Sequence, residues 1–237
     1  MAQEHPISRR DLLVSRRDLL GAGAGAAAGL VAQRLVGESL PAPGCGDPTA
    51  PQTAGPYYPT RDRPDEDPDL TRVKGREGRA AGEIVLVRGT VLDEACKPIA
   101  GALVEIWQAN SLGRYDHERD AGNPRPLDPN FQSWAEMVTD QDGGFRFKTI
   151  KPGAYPADDS GWVRPPHIHF RVSRRGYHEL VTQMYFAGES LNDTDRIRLA
   201  LSGEDRERAT VAFEPAEAEG EAGARLGRFD VTLRRAS

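Results

Sequence analysis

From Ile84 onward the chain is broken into short runs that leave little room for helices. "EIVLVRGTVL", "GALVEIWQA", "GFRFKTI", "HIHFRVS", "ELVTQMYF" and "RFDVTLRR" are rich in β-branched and aromatic residues, and turn clusters such as "DEACKP", "TDQDGG" and "SRRGYH" separate them. Runs of strand length with this punctuation predict an all-β fold, an antiparallel β-sandwich with long irregular loops. Helical signals are few. "NDTDRIRLAL" opens on Asn/Asp and predicts one short helix, while the acidic, Gly/Ala-rich "EPAEAEGEAGARLG" (214–227) reads as a solvated loop before the last strand. The longest irregular stretch runs from Ser111 to Trp134. A loop of that length inside a compact domain is usually there for function.

The residues before the strands divide in two. Residues 1–40 place two Arg-Arg pairs, Arg9-Arg10 and Arg16-Arg17, ahead of an Ala/Gly-rich run from Leu19 to Ala32. That run is too short and too weakly apolar for a stable membrane span. The repeated Ser-Arg-Arg-Asp-Leu-Leu resembles a twin-arginine (Tat) export signal, which implies a periplasmic or other extracytoplasmic destination. Tat export carries folded proteins and hints at a cofactor inserted beforehand. Residues 41–82 are dense in Pro, Gly, Asp and Arg without periodicity, as expected of an extended arm wrapping the domain formed by 83–237.

The net charge is −5, and no basic-aromatic run lies outside the leader, so nucleic acid is excluded as a partner. The only two cysteines are Cys45 and Cys96. In an exported protein they are expected to pair, tying the arm to the first strand region. Apolar strands beside an arm also make a homo-oligomer plausible.

"GWVRPPHIHFRV" (161–172) carries the chemistry. Alternate side chains of a strand share a face, so His167, His169 and Arg171 point one way while Ile168, Phe170 and Val172 point into a core. A bare His-x-His fits a solvated face as well as a metal. Two features favour the metal: Arg164 and two prolines stiffen the entry, and no ordinary surface residue shares the face before Arg171. The other ligands must come from elsewhere. Neither cysteine has zinc-like spacing, and His117 and His178 sit in charged turns. A cupin-type reading fails because Ser173 and Arg174 stand where its glutamate is needed, with Glu179 too far along. Tyrosine is an alternative ligand. A phenol, with a pKa near 10, ionises at neutral pH only beside a strong Lewis acid such as ferric iron. Tyr115 in "LGRYDH" and Tyr155 in "KPGAYP" are the candidates, although a tyrosine in a Pro/Gly turn also serves as a packing residue.

Longer motifs accompany these residues: "IAGALVEIWQANSLGRYDH", "PLDPNFQSWAEMVTDQDGGFRFKTIKPGAYP", "WVRPPHIHFRV", "LVTQMYFAG" and "FDVTL". In order and spacing they resemble the intradiol ring-cleavage dioxygenases, above all the iron-bearing chain of the branch that cleaves protocatechuate. The resemblance implies that Tyr115, Tyr155, His167 and His169 hold one non-haem Fe(III) per chain. It makes Arg164 the residue that stabilises negative charge on the reacting substrate, Gln183 its neighbour, and Tyr155 a proton acceptor. Gly55, Pro56 and Tyr57 of "TAGPYYP" match a substrate-lining segment. The implied reaction takes a small aromatic diol and O2 to a cis,cis-muconate-type diacid. One departure is "PADDSGWV" between Tyr155 and Arg164, where Asp158 and Asp159 would disfavour an anionic substrate. The competing reading is an exported sandwich that keeps the fold as a binding module with a retired metal site; retirement would be expected to delete a ligand, and all four are present.

Overall fold

The computed structural model describes residues 46–60, 65, 67–216 and 222–236. The leader, and with it the export signal, lies outside the described residues, as does Cys45. The first strand, β1 (Ile84–Asp93), is the spine of one five-stranded sheet. It pairs antiparallel with β4 (Gly144–Ile150) along one edge. Along the other edge it pairs parallel with β11 (Arg225–Arg228) and then with β12 (Val231–Leu233). β10 (Phe213–Pro215) closes that sheet against β11.

The second five-stranded sheet runs β3 (Trp134–Val138), β2 (Leu103–Trp107), β7 (His167–Ser173), β8 (Leu180–Phe186), β9 (Thr210–Val211). A two-stranded ribbon, β5 (Tyr155–Pro156) with β6 (Val163–Arg164), stands apart from both. The two large sheets share one core. Phe170 of β7 meets Phe145 and Phe147 of β4 and Phe229, ahead of β12, with ring centroids 6.2, 5.9 and 4.9 Å away. Burying each such ring contributes about 2–3 kcal/mol.

The all-β expectation holds, with its antiparallel detail corrected. β1·β11, β1·β12 and β8·β9 are parallel. Parallel neighbours need a crossover, and between β8 and β9 it contains the helices α1 (Arg196–Leu199) and α2 (Gly203–Arg208). The expected single helix is therefore a 3₁₀ turn (Ser190–Asp193) followed by α1, with α2 additional. Asp195 and Ser202 cap α1 and α2, accepting from the backbone N–H of Arg198 and Asp205. The stretch 214–227 is also corrected: its two ends are β10 and β11, paired with each other. β1 passes from β11 to β12 at Gly89, where a Cβ would overlap the Phe229 carbonyl, so only glycine fits.

The long stretch after β2 is an ordered loop. Asn110 accepts from the N–H groups of Leu112 and Arg114 and donates to the Pro126 carbonyl. Asp120, closing a 3₁₀ turn (Glu118–Asp120), accepts from Tyr115 N–H at 2.7 Å. Gly113, at φ 76°, lies so close to the Ala154 carbonyl that a Cβ would overlap it. That approach brings Tyr115 beside Tyr155. Among the described residues no helix is long and apolar enough to cross a membrane.

Candidate active site

Both faces of β7 are buried. Ile168, Phe170 and Val172 enter the core, while His167 and His169 enter a second cluster with Trp107, Tyr115 and Tyr155. Strand register sets the site in rows. Trp107 and Gln183 flank His169 across the sheet, and Tyr185 faces His167. On the ribbon Tyr155 is paired directly with Arg164. Five segments, including the 111–134 loop and the N-terminal arm, thus converge on the histidine pair.

The four expected ligands come together. Tyr115 Oη lies 3.5 Å from His167 Nε2. The rings of Tyr115 and Tyr155 stand perpendicular at 5.4 Å, Tyr155 and His167 are 5.6 Å apart, and the two imidazoles 4.9 Å. His169 lies flat on the Trp107 indole at 4.8 Å. His167 Nδ1 is 2.7 Å from the Pro165 carbonyl. A carbonyl only accepts, so Nδ1 carries the hydrogen and the Nε2 lone pair faces Tyr115 and Arg164.

Electrostatics keep the donor set uncharged. Burial and the nearby Arg164 guanidinium hold both histidines well below the ordinary imidazole range, so both are neutral. Burial pushes Tyr115 well above the ordinary phenol range, and the neighbouring Tyr155 adds to this. Burial also raises Tyr155, but Arg164 opposes it. Two neutral imidazoles and two phenols therefore sit buried side by side, and the buried His169 Nδ1 has no hydrogen-bond partner. Among the described residues no three His, Cys, Asp or Glu side chains gather as a metal site, so a metal here needs the tyrosines. Two phenols that release protons only to a strong Lewis acid, beside two nitrogen donors, fit a ferric ion.

Arg164 is 4% exposed and fully engaged. Its Nε donates to Asp195 Oδ2 at 2.8 Å, and its Nη2 donates to Gln183 Oε1 at 2.9 Å, Tyr185 Oη at 3.2 Å and Asp195 Oδ1 at 3.3 Å. Its Nη1 is 3.1 Å from His167 Nε2. The arm braces this group from behind: Gln183 donates to the Thr53 carbonyl, and Tyr185 Oη donates to Gln52 Oε1 at 2.9 Å.

The structure brings Gly55 and Tyr57 to the site in the same chain. A Cβ on Gly55 would be in contact with His169, and Tyr57 stacks on Tyr115. Pro56 is exposed. His117 is half-buried, its Nδ1 accepting from Arg119 N–H, and Glu179 pairs with Arg171 at the surface. Asp158 is tied to Ser160 and paired with Arg196 at 3.6 Å, so its charge is offset. Cys96 is disulfide-bonded. Sequence reasoning missed three residues. Tyr185 is findable, two positions beyond Gln183 on the same strand face, whereas Trp107 reads only as a strand residue until β2 pairs it with His169. Asp195 looked only like a helix start.

The dioxygenase family model matches residues 53–235. The protocatechuate 3,4-dioxygenase beta chain of Burkholderia cepacia is 43% identical over 183 residues, covering 76% of each chain. The catechol 1,2-dioxygenase of Candida albicans is 36% identical over 123 residues, 47% of this chain but only 39% of its own length. Among solved structures, the dioxygenase domain of a dioxygenase carbohydrate-binding protein fusion from Streptomyces sp. SirexAA-E superposes with a TM-score of 0.58 at 31% identity. It covers 80% of this chain and all of that one. The 3-chlorocatechol 1,2-dioxygenase of Rhodococcus opacus 1CP shares the fold at a TM-score of 0.63, covering 80% of this chain and 73% of its own. Matched by the family model over most of its length and by a relative over three quarters of it, the chain belongs to the intradiol ring-cleavage dioxygenase family.

Proposed function

We propose that the protein opens the ring of a catechol-type diol between its two hydroxyl-bearing carbons. Both atoms of O2 enter the product, a cis,cis-muconate-type diacid. The convergence of Tyr115, Tyr155, His167 and His169 on one buried volume, with Arg164 at its edge, carries this reading. These four side chains would hold one Fe(III) per chain. The ion would supply the Lewis acidity that ionises both phenols and lets a catecholate react with O2.

The chain's own residues do the rest. Tyr155, whose anion Arg164 favours, is the proton acceptor: its Oη takes a proton from a substrate hydroxyl. Arg164 offers its Nη1 edge to negative charge developing on the substrate, in a site where low dielectric strengthens the attraction. Gln183 holds Arg164 in place. Tyr57 and Gly55 line the approach and exclude water from the ring, from the same chain. Asp158 gives little repulsion to an anionic ring substituent because Arg196 offsets it. Export by the twin-arginine leader belongs to the same proposal and rests on residues 1–40 alone.

Oxygen uptake with catechol, protocatechuate, hydroxyquinol and chlorinated catechols tests the reading. It expects uptake with at least one diol and a ring-opened diacid as product. A semialdehyde product would contradict it. A binding module with a retired site would consume no oxygen with any of them.

A further inference from the structure

We propose that Asp195 is the positioning residue of the reaction: it turns the Arg164 guanidinium so that its Nη1 side, the one Asp195 does not hold, faces the reacting centre. This rests on the role given to Arg164 above. Asp195 is fully buried, and no feature of the reaction as described uses it.

The argument is geometric. A guanidinium is planar, with five N–H donors in a fixed fork. The Nε–Nη2 edge of Arg164 is closed by both oxygens of Asp195, with Gln183 and Tyr185 as further acceptors for Nη2. Once that edge is fixed, planarity directs Nη1 to His167 Nε2. The carboxylate is itself held: Oδ1 also accepts from Arg198 N–H at 2.7 Å, at the start of α1. The side chain of Arg198 anchors that turn, donating to the Asn192 carbonyl and to Thr210 Oγ1 of β9. Asp195 thus transmits the position of the β8–β9 crossover to Arg164. A bidentate carboxylate gives orientation as well as charge balance, and a buried cation without its counter-ion would turn or draw in water. Gln183 and Tyr185 are neutral and touch only Nη2, so neither replaces it.

Asp195→Asn tests this. The asparagine Oδ1 can still cap Arg198, but its amide then presents N–H groups to Arg164 Nε, donor against donor. The expected result is a kcat lowered about 10- to 100-fold, with iron content unchanged. The second readout needs no iron. In the metal-free protein, Arg164 Nε–H should give a slowly exchanging, shifted proton–nitrogen NMR resonance that Arg164→Lys removes, and Asp195→Asn should abolish its protection. Full activity or a retained protected resonance in Asp195→Asn overturns the inference. If that variant fails to fold, a fast-exchanging Arg164 Nε–H in the unmutated protein overturns it and a protected one supports it. Failure of the underlying reading looks different: Arg164→Leu would then retain activity.

Discussion

Tyr57 of the arm lies nearly parallel on Tyr115 of the long loop, ring centroids 4.4 Å apart and planes inclined by 25°. Tyr57 also meets Tyr155 edge-on at 6.0 Å, so one arm residue covers both phenols. The arm is part of the site wall. Tyr57→Ala should remove a stacking contact of about 0.5–1.5 kcal/mol and open the site to water. Steady-state kinetics should show KM for the diol raised several-fold with kcat less affected, and Tyr57→Phe close to unmutated protein.

Gly113 sets how closely the long loop approaches the Tyr155 turn. At φ 76° an alanine is strained even before its Cβ meets the Ala154 carbonyl. Gly113→Ala should destabilise the fold by about 1–3 kcal/mol. Because the clash lies between the segments that carry the two phenols, iron occupancy should fall as well. Urea unfolding and iron analysis on one preparation check both.

Removing a ligand should separate binding from folding. Tyr115→Phe keeps the ring and its stack with Tyr57 but deletes the oxygen, so the visible colour of the iron-loaded protein should shift or bleach while the unfolding midpoint of the metal-free protein changes little. Chelating iron from the unmutated protein should lower its melting temperature, since a ligand bound only by the folded state stabilises it.

Asp93, at the end of β1, gives a pH signature unrelated to catalysis. Burial opposes its ionisation, but Arg235 at 2.7 Å and the N–H groups of Lys97 and Ala95 outweigh this and hold the carboxyl below its ordinary range. A depressed carboxyl contributes stability that is present above the unfolded value, near pH 4, and is lost as pH falls through the folded one. Asp93→Asn should therefore lower the melting temperature at pH 7, and the gap from unmutated protein should narrow as pH falls below about 4. A constant gap would show that the charge plays no part.

Much of this was legible from residue order. Alternation in "HIHFRV" separated the core face from the site face correctly, because side-chain period is a local property of a strand. It did not show that the site face is dry, since that depends on Trp107, the arm and the 111–134 loop closing over it. Parallel pairing of β11 and β12 with β1 was also illegible: the strings look alike whichever way a distant strand runs. Asp195 was hidden for a related reason. An aspartate before a short helix is fully accounted for as a cap, and its second role exists only because β6 brings Arg164 to it.

The most direct test of the central claim is mass analysis of the product formed from a turned-over diol under ¹⁸O₂. The account predicts a ring-opened diacid carrying two ¹⁸O atoms, one in each new carboxyl group. A semialdehyde, or a product with one labelled oxygen and an intact ring, would contradict it.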